Sequence, residues 1–147
     1  MNPKIWNHSV RLGFTCGYCG RPTEIIPEVE YYGREYSPGG LVAVCRACEA
    51  SVGCHKGTRK PKGAVAVHDL RNLRKHAHAV FDPIWRAKMA VSGWSQKKAR
   101  NAAYKWLSDQ LQIPVDECHI SQMRPEIVAR TIEVCRPYFL KIKALKS

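Results

Sequence analysis

The sequence has no long uninterrupted run of apolar residues, and the longest, Leu41–Cys45, spans five. A membrane-spanning helix needs about 20 such residues, so the sequence excludes one. Residues 1–6 contain no apolar segment of the kind that a secretory signal requires. We therefore expect a cytoplasmic protein with no membrane partner. Apolar residues make up 45% of the 147 and charged residues 24%, which favours a folded domain over disorder.

Acidic residues are scarce in the middle of the chain. Residues 56–105 contain thirteen Lys and Arg but only Asp69 and Asp82, a net charge of +11 out of the chain's +12. So few carboxylates argue against a typical magnesium site in this segment. A concentrated positive field favours binding to phosphate. The alternative interpretation is a set of solvated helix faces that keep the protein soluble.

Seven cysteines are present, and without a secretory signal they are better interpreted as reduced thiols than as disulfides. Four of them form two C-x2-C pairs, Cys16 with Cys19 and Cys45 with Cys48, separated by 25 residues. Such pairs supply four thiolates to one tetrahedral ion, with no coordination position left for catalytic water. We therefore predict one structural Zn²⁺ held by these four residues.

The segment between the two pairs is typical of a zinc ribbon. Residues 23–32 are rich in β-branched and aromatic side chains, Pro38-Gly39-Gly40 predicts a turn, and residues 41–44 predict a second strand. A redox C-x-x-C motif and an iron–sulfur cluster are the alternatives, and the hairpin favours zinc over both. Cys54, Cys118 and Cys135 are interpreted as buried thiols; for Cys54 the alternative is a fifth zinc ligand, and for Cys118-His119 with Cys135 it is a second metal site.

A basic loop and a helix follow the ribbon. Glycine and proline punctuate residues 57–63, which predicts a loop with accessible backbone amides. Apolar residues recur at helical spacing over 67–81, with a polar stripe beside them. The predicted phosphate-binding residues of the loop and the stripe are Lys56, Thr58, Arg59, Lys60, Lys62, His68, Arg71, Arg74, Lys75 and His78.

Further helices complete the predicted fold. Asp82-Pro83 predicts a new helix start, Ser95 a cap for a helix over 96–111, and Pro137 the end of a last helix over 125–136. Trp85, Trp94 and Trp106 fall in apolar rhythms and are predicted to be core. The predicted fold class is α+β, in which a four-cysteine zinc ribbon (a β-hairpin, residues 1–55) packs on about four helices (residues 56–147) in one compact unit.

Taken together, these motifs resemble a family of small zinc-finger-containing proteins of unknown function from bacterial and phage genomes. The resemblance covers about residues 14–135. It rests on Cys16-x2-Cys19-Gly20, Cys45-x2-Cys48, Val52-Gly53-x-His55-x-Gly57-Thr58, Leu70-Arg71, Ala77-His78-x-x-Phe81-Asp82-Pro83-x-Trp85, Ala103-Tyr104-x-Trp106-Leu107 and Cys118-His119-Ile120. Lys62 and Val67 depart from the family pattern, which has a small apolar residue and a short acidic or amide residue there. The resemblance implies a zinc ribbon in a bacterial or phage-infected cell, and no established activity.

We predict a nucleic-acid-binding protein, with DNA favoured over RNA, that acts as a small phage or bacterial regulatory or accessory factor. An inhibitor or adaptor that binds an acidic face of a host protein is the alternative, because it would use the same basic surface. A metal-dependent nuclease is the second alternative, with His55, His68 and Asp69 as weak catalytic candidates. Residues 20–44 contain no His, whereas zinc-bound His-Asn-His nucleases commonly carry their catalytic His between the cysteine pairs. The oligomeric state stays open.

Overall fold

The computed structural model describes residues 5–146, apart from the side chain of Lys146. This part of the chain forms two compact units, one ending at Arg71 and the other beginning at Asn72. The first holds a three-stranded antiparallel sheet and the second is helical, which confirms the predicted α+β class. None of the helices in the described residues has the length and apolar character needed to cross a membrane.

The first unit is built on a small sheet of order β1-β2-β3. A short helix, α1 (His8–Arg11), precedes it and is capped by the Asn7 side chain, which accepts from the Val10 amide at 3.0 Å. The strands are β1 (Glu24–Pro27), β2 (Leu41–Cys45) and β3 (Ala50–Gly53), and a one-turn helix, α2 (Glu28–Tyr32), follows β1. Strand β2 is central and its residues 42–45 are buried.

The predicted ribbon hairpin differs from the structure in two respects. The composition of residues 23–32 predicts the first strand, but that strand, β1, ends at Pro27, because Glu28 starts α2 and its carboxylate accepts from the amides of Tyr36 (2.8 Å) and Ser37 (3.1 Å). The sheet also has a third strand, β3, which pairs with β2 directly after the second cysteine pair. The turn at residues 38–40 is present, with the Gly40 amide donating to the Ser37 carbonyl at 3.0 Å.

The core of the first unit includes one cysteine from each pair. Cys16, Ala43, Cys45, Ala50 and Val65 form its buried centre. The segment around Ala66 also reaches this core, because Ser51 and Ala66 exchange backbone hydrogen bonds of 3.0 Å in each direction. The outer side of β3 is thereby paired.

The long helices are α3 (His68–Ser92), α4 (Gln96–Leu111) and α5 (Pro125–Lys146), with single 3₁₀ turns at Val115–Glu117 and Ile120–Gln122. Helix α3 begins in the first unit and continues through the second. The largest fully buried side chains of the second unit are Phe81, Leu107, Leu111, Ile120 and Val128.

The predicted helix start at Asp82-Pro83 is wrong, because α3 runs through Pro83 without a break. The Asp82 carboxylate does not cap a helix; it accepts from the Trp85 indole at 3.1 Å and contacts His78 Nδ1 at 3.3 Å. Proline in a helix leaves the carbonyl four residues earlier without its partner. That residue, Ala79, is exposed, so water can satisfy the carbonyl.

The other predicted helix limits have mixed outcomes. Helix α3 ends before Gly93, which has a φ of +72°, and the Ser95 hydroxyl caps α4 by accepting from the Lys98 amide at 3.2 Å. The cap at Ser95 matches the prediction. The predicted stop before Pro137 is wrong, since α5 continues through it.

Candidate functional site

The four paired cysteines converge on one point in the first unit. The Sγ atoms of Cys16, Cys19, Cys45 and Cys48 all lie within 4.8 Å of one another, and those of Cys19 and Cys45 are 3.6 Å apart. Four thiolates at about 2.3 Å from a tetrahedral zinc would be separated by roughly 3.8 Å. The cluster therefore has the dimensions of a Cys₄ zinc site.

The first cysteine pair lies in a tight turn between α1 and β1. The Cys16 amide donates to the Arg21 carbonyl at 2.8 Å, and the Gly20 amide donates to the Cys16 carbonyl at 2.9 Å. Gly20 has a φ of +78°, a conformation that glycine adopts without cost. These bonds fold the backbone around both sulfurs.

In the second pair, Cys45 ends β2 and Cys48 lies in the turn of the β2–β3 hairpin. Cys45 pairs with Ala50 across the hairpin, and the Glu49 amide donates to the Arg46 carbonyl at 3.3 Å. Glu49 takes a φ of +54°, which is unusual for a residue with a side chain. An ion bound here would hold a hairpin turn as well as joining two segments of the chain.

The environments of the thiols differ. The Arg21 backbone N–H lowers the pKa of Cys19 to about 7, whereas burial raises the pKa of Cys48 to about 12 and also raises that of Cys16. The Tyr18 amide lies 3.4 Å from the Cys16 sulfur and favours its thiolate. Zinc binds only thiolates, so it must displace protons from Cys16 and Cys48 when it binds.

The donor set fits zinc. Four soft sulfur ligands in a closed, partly buried cluster suit a tetrahedral d¹⁰ ion and leave no vacant position for substrate. The cluster is consistent with one structural zinc, as predicted. It would contribute folding energy to the first unit rather than chemistry.

The predicted loop residues lie together on residues 55–62, which we call the basic loop. Lys56, Arg59, Lys60 and Lys62 are all exposed there. Thr58 is half-buried and shapes the loop, because its hydroxyl donates to the His55 carbonyl at 2.8 Å and accepts from the Lys60 amide at 3.0 Å.

Most of the predicted helix residues have other contacts. Arg71 donates to Ser51 Oγ (3.0 Å) and to the Ala66 carbonyl (2.8 Å), Arg74 is buried, and His78 contacts Asp82. His68 and Lys75 are exposed. Five of the predicted phosphate-binding residues therefore lie on the basic loop. On the helix, in contrast, three of the five predicted residues are buried or bonded to other groups of the protein.

The weak catalytic candidates line two different cavities. His55 borders a cleft of about 260 Å³ beside the basic loop. His68 and Asp69 border a cavity of about 720 Å³ that reaches Cys48 and is also lined by Tyr32 and Arg71. Sequence reasoning missed this second cavity, since no spacing in the chain links its tyrosines to the start of α3.

The remaining cysteines are buried thiols. Burial raises the pKa of Cys54, and it raises that of Cys118 to about 11 and that of Cys135 to about 12. Within residues 5–146, Cys16, Cys19, Cys45 and Cys48 form the one metal-binding group of three or more His, Cys, Asp or Glu residues that lie close together.

A three-stranded sheet closed by a four-thiolate cluster defines a zinc-finger protein. The chain belongs to the family whose model is described as a zinc-finger-containing domain, which matches residues 13–138. The resemblance noted in the sequence is thereby confirmed. No curated protein and no solved structure matches the chain.

Proposed function

We propose that this zinc-binding protein binds the phosphate backbone of DNA through the basic loop, as a small regulatory or accessory factor. The observation that carries the proposal is the loop's charge. Four exposed cations project from residues 56–62, and no acidic residue lies between Glu49 and Asp69. Lys and Arg side chains and accessible backbone amides are the usual phosphate ligands of DNA-binding proteins.

The loop is ordered by its own hydrogen bonds. The His55 amide donates to the Lys60 carbonyl at 2.8 Å, and the Lys62 amide donates to the Gly53 carbonyl at 2.9 Å. Together with the two bonds of Thr58, they close residues 55–60 into a compact turn. A preformed loop loses less conformational entropy on binding, which supports a binding role.

The zinc cluster supports the loop rather than contacting the phosphates. The ribbon's Arg46 lies 3.5 Å from Glu24 and 3.6 Å from Glu30, so its charge is partly neutralised. Strand β3, which follows Cys48, leads directly into the basic loop. The cluster therefore fixes the strand from which the loop projects.

The test is fluorescence anisotropy with labelled single- and double-stranded DNA and RNA of equal length. The informative variant is Arg59→Ala/Lys60→Ala, and Lys105→Ala/Arg136→Ala is the matched control, since it also removes two exposed positive charges. We expect the loop variant to weaken DNA binding by tenfold or more, and the control by less than threefold.

Equal losses in the two variants would show that net charge, not the loop, causes binding. No binding to any of the four probes would refute the proposal. The same samples with added magnesium test the nuclease alternative, in which cleavage would depend on His55 or on His68 and Asp69. Tighter binding to RNA would keep the loop as the site and change the target.

A further inference from the structure

The second unit carries an apolar groove that the basic loop does not explain. It has a volume of about 620 Å³ and lies among α3, α4 and α5. Trp85 and Val91 of α3, Trp94, Ala102 of α4 and Tyr138 of α5 are among its lining residues. We call this the aromatic groove.

The groove exists because α4 presents small side chains to it. Ala99, Ala102 and Ala103 recur at positions three and four residues apart and line it together. Larger aromatic residues surround them, with the Trp106 and Tyr138 rings in edge contact at 5.1 Å. Small alanine side chains of α4 and larger aromatic rings therefore line the groove together.

Parts of this apolar lining are open to solvent. Val91 is 86% exposed and Tyr138 is 44% exposed. Trp94 and Trp106, which the sequence predicted to be core, are only half-buried, whereas Trp85 is buried as predicted. Exposed apolar patches of this kind mark sites where proteins bind partners.

Cations lie directly over the groove's aromatic rings. Lys98 Nζ is 4.5 Å and Lys88 Nζ is 5.0 Å from the Trp94 ring centre, and Arg86 lies 5.1 Å from that of Trp85. Lys141 lies 5.8 Å from the Tyr138 ring centre. No acidic residue occurs between Asp82 and Asp109 in the sequence. The rim contributed by α3 and α4 therefore attracts negative charge.

We propose that the aromatic groove binds an acidic amphipathic helix of a partner protein. An apolar channel accepts the apolar face of a helix, with anchors at helical spacing. Glu or Asp beside those anchors would pair with the lysines and arginines of the rim. The proposal is independent of the basic loop, which belongs to the other unit.

Two other occupants fit the groove less well. Lys and Arg groups already cover the faces of Trp85 and Trp94, so these rings offer no open platform for a stacked base. A second copy of this chain would bring two sets of the same cations together, which like-charge repulsion opposes. An acidic amphipathic helix matches both surfaces, since its apolar face fits the apolar lining of the groove and its carboxylates face the cations of the rim.

The test uses the full zinc-loaded chain and a labelled synthetic peptide of about 16 residues. The peptide carries Leu at i, i+3, i+4 and i+7, with Glu and Ala elsewhere. We expect saturable binding by fluorescence anisotropy. A peptide with Lys in place of Glu should bind at least tenfold more weakly, and a scrambled Glu peptide should also bind at least tenfold more weakly.

Two protein variants, each with a matched control, locate the site. Ala102→Phe fills the groove from an exposed position and should weaken peptide binding about tenfold, whereas Ala129→Phe, on an exposed part of α5 outside the groove, should not. Lys98→Glu reverses a rim charge and should weaken peptide binding, whereas Arg136→Glu, a charge reversal on an exposed part of α5 outside the groove, should not. Lys98 is the third residue of α4, so Glu there forms a capping box with Ser95, and loss of binding cannot come from loss of the helix.

Absence of saturable binding to the Glu peptide would overturn the proposal. Equal affinity for the Glu and Lys peptides, or equal effects of Ala102→Phe and Ala129→Phe, would also overturn it. Binding of short single-stranded DNA that Ala102→Phe weakens and Ala129→Phe does not would overturn it as well, because the groove would then be a nucleic-acid site.

Discussion

Substituting Gly13 by Ala tests how the start of the ribbon is locked to the end of the basic loop. Gly13 has a φ of +86°, which costs a residue with a side chain about 1–2 kcal/mol. A Cβ at this position would also lie 2.6 Å from Pro61 Cβ and closer still to the Gly63 carbonyl oxygen. Forcing an extra carbon into a packed site costs about 1–3 kcal/mol. We expect Gly13→Ala to lower the free energy of unfolding by about 2–5 kcal/mol.

Gly57→Ala is the matched control for this prediction. Gly57 has a φ of +73°, but a Cβ there would meet no atom within 4 Å. Its substitution should therefore cost only the conformational term, about 1–2 kcal/mol. Urea denaturation of the zinc-loaded variants measures the difference, which should be about 1–3 kcal/mol. Equal stabilities of the two variants would refute the contact between residue 13 and the chain at residues 61–63.

Four further outcomes are expected. Cys45→Ser should lower the zinc content below one ion per chain and unfold the first unit. Elemental analysis measures the zinc content and circular dichroism measures the folding. A folded, zinc-free variant would contradict a structural role for the zinc. With four phosphate contacts from the basic loop, the slope of log K for DNA binding against log salt concentration should be about −3.6, which is a loss of roughly 150-fold in affinity between 50 and 200 mM salt. Arg59→Ala/Lys60→Ala should halve this slope. An unchanged slope would show that neither residue contacts a phosphate. Burial raises the pKa of Asp82, but hydrogen bonds from His78 and Trp85 outweigh it and keep that pKa below its ordinary value. The carboxylate therefore stabilises the fold above about pH 4 and loses this effect as the pH falls further, a dependence that Asp82→Asn should remove from acid-unfolding curves. Ser95→Ala should lower the free energy of unfolding by about 1 kcal/mol through loss of the α4 cap, and no change would show that the cap is replaceable.

Each half of the metal cluster was predictable because the signal of a cysteine pair is local. Two residues between cysteines place both sulfurs on one side of a turn, whatever the rest of the fold does. The cap at Ser95 was predictable for the same reason, since the hydroxyl bonds an amide only three residues away. Such features depend on near neighbours in the chain, which the sequence displays directly.

The errors arose where the type of a residue does not show which of several partners it takes in the fold. Asp82 has the residue type of a helix cap, but the Trp85 indole and His78 engage its carboxylate inside a continuous helix. The segment after Pro27 has strand-forming residues, yet Glu28 accepts from amides eight and nine residues later and starts a helical turn. Arg71 and Arg74 appear in the sequence as part of a cationic stripe, and only the fold shows that one bonds Ser51 and the other is buried.

The arrangement of the small sheet has a consequence for handling the protein at high concentration. A sheet edge with free amides and carbonyls invites strands from other molecules and so promotes aggregation. Here β3 is covered by the paired segment around Ala66, and the outer strand β1 is only four residues long and ends in Pro27, which has no N–H to donate. The sheet therefore offers little template for intermolecular growth. Replacing Pro27 by Val would lengthen the open edge, and light scattering of concentrated samples would detect the self-association that we expect to follow.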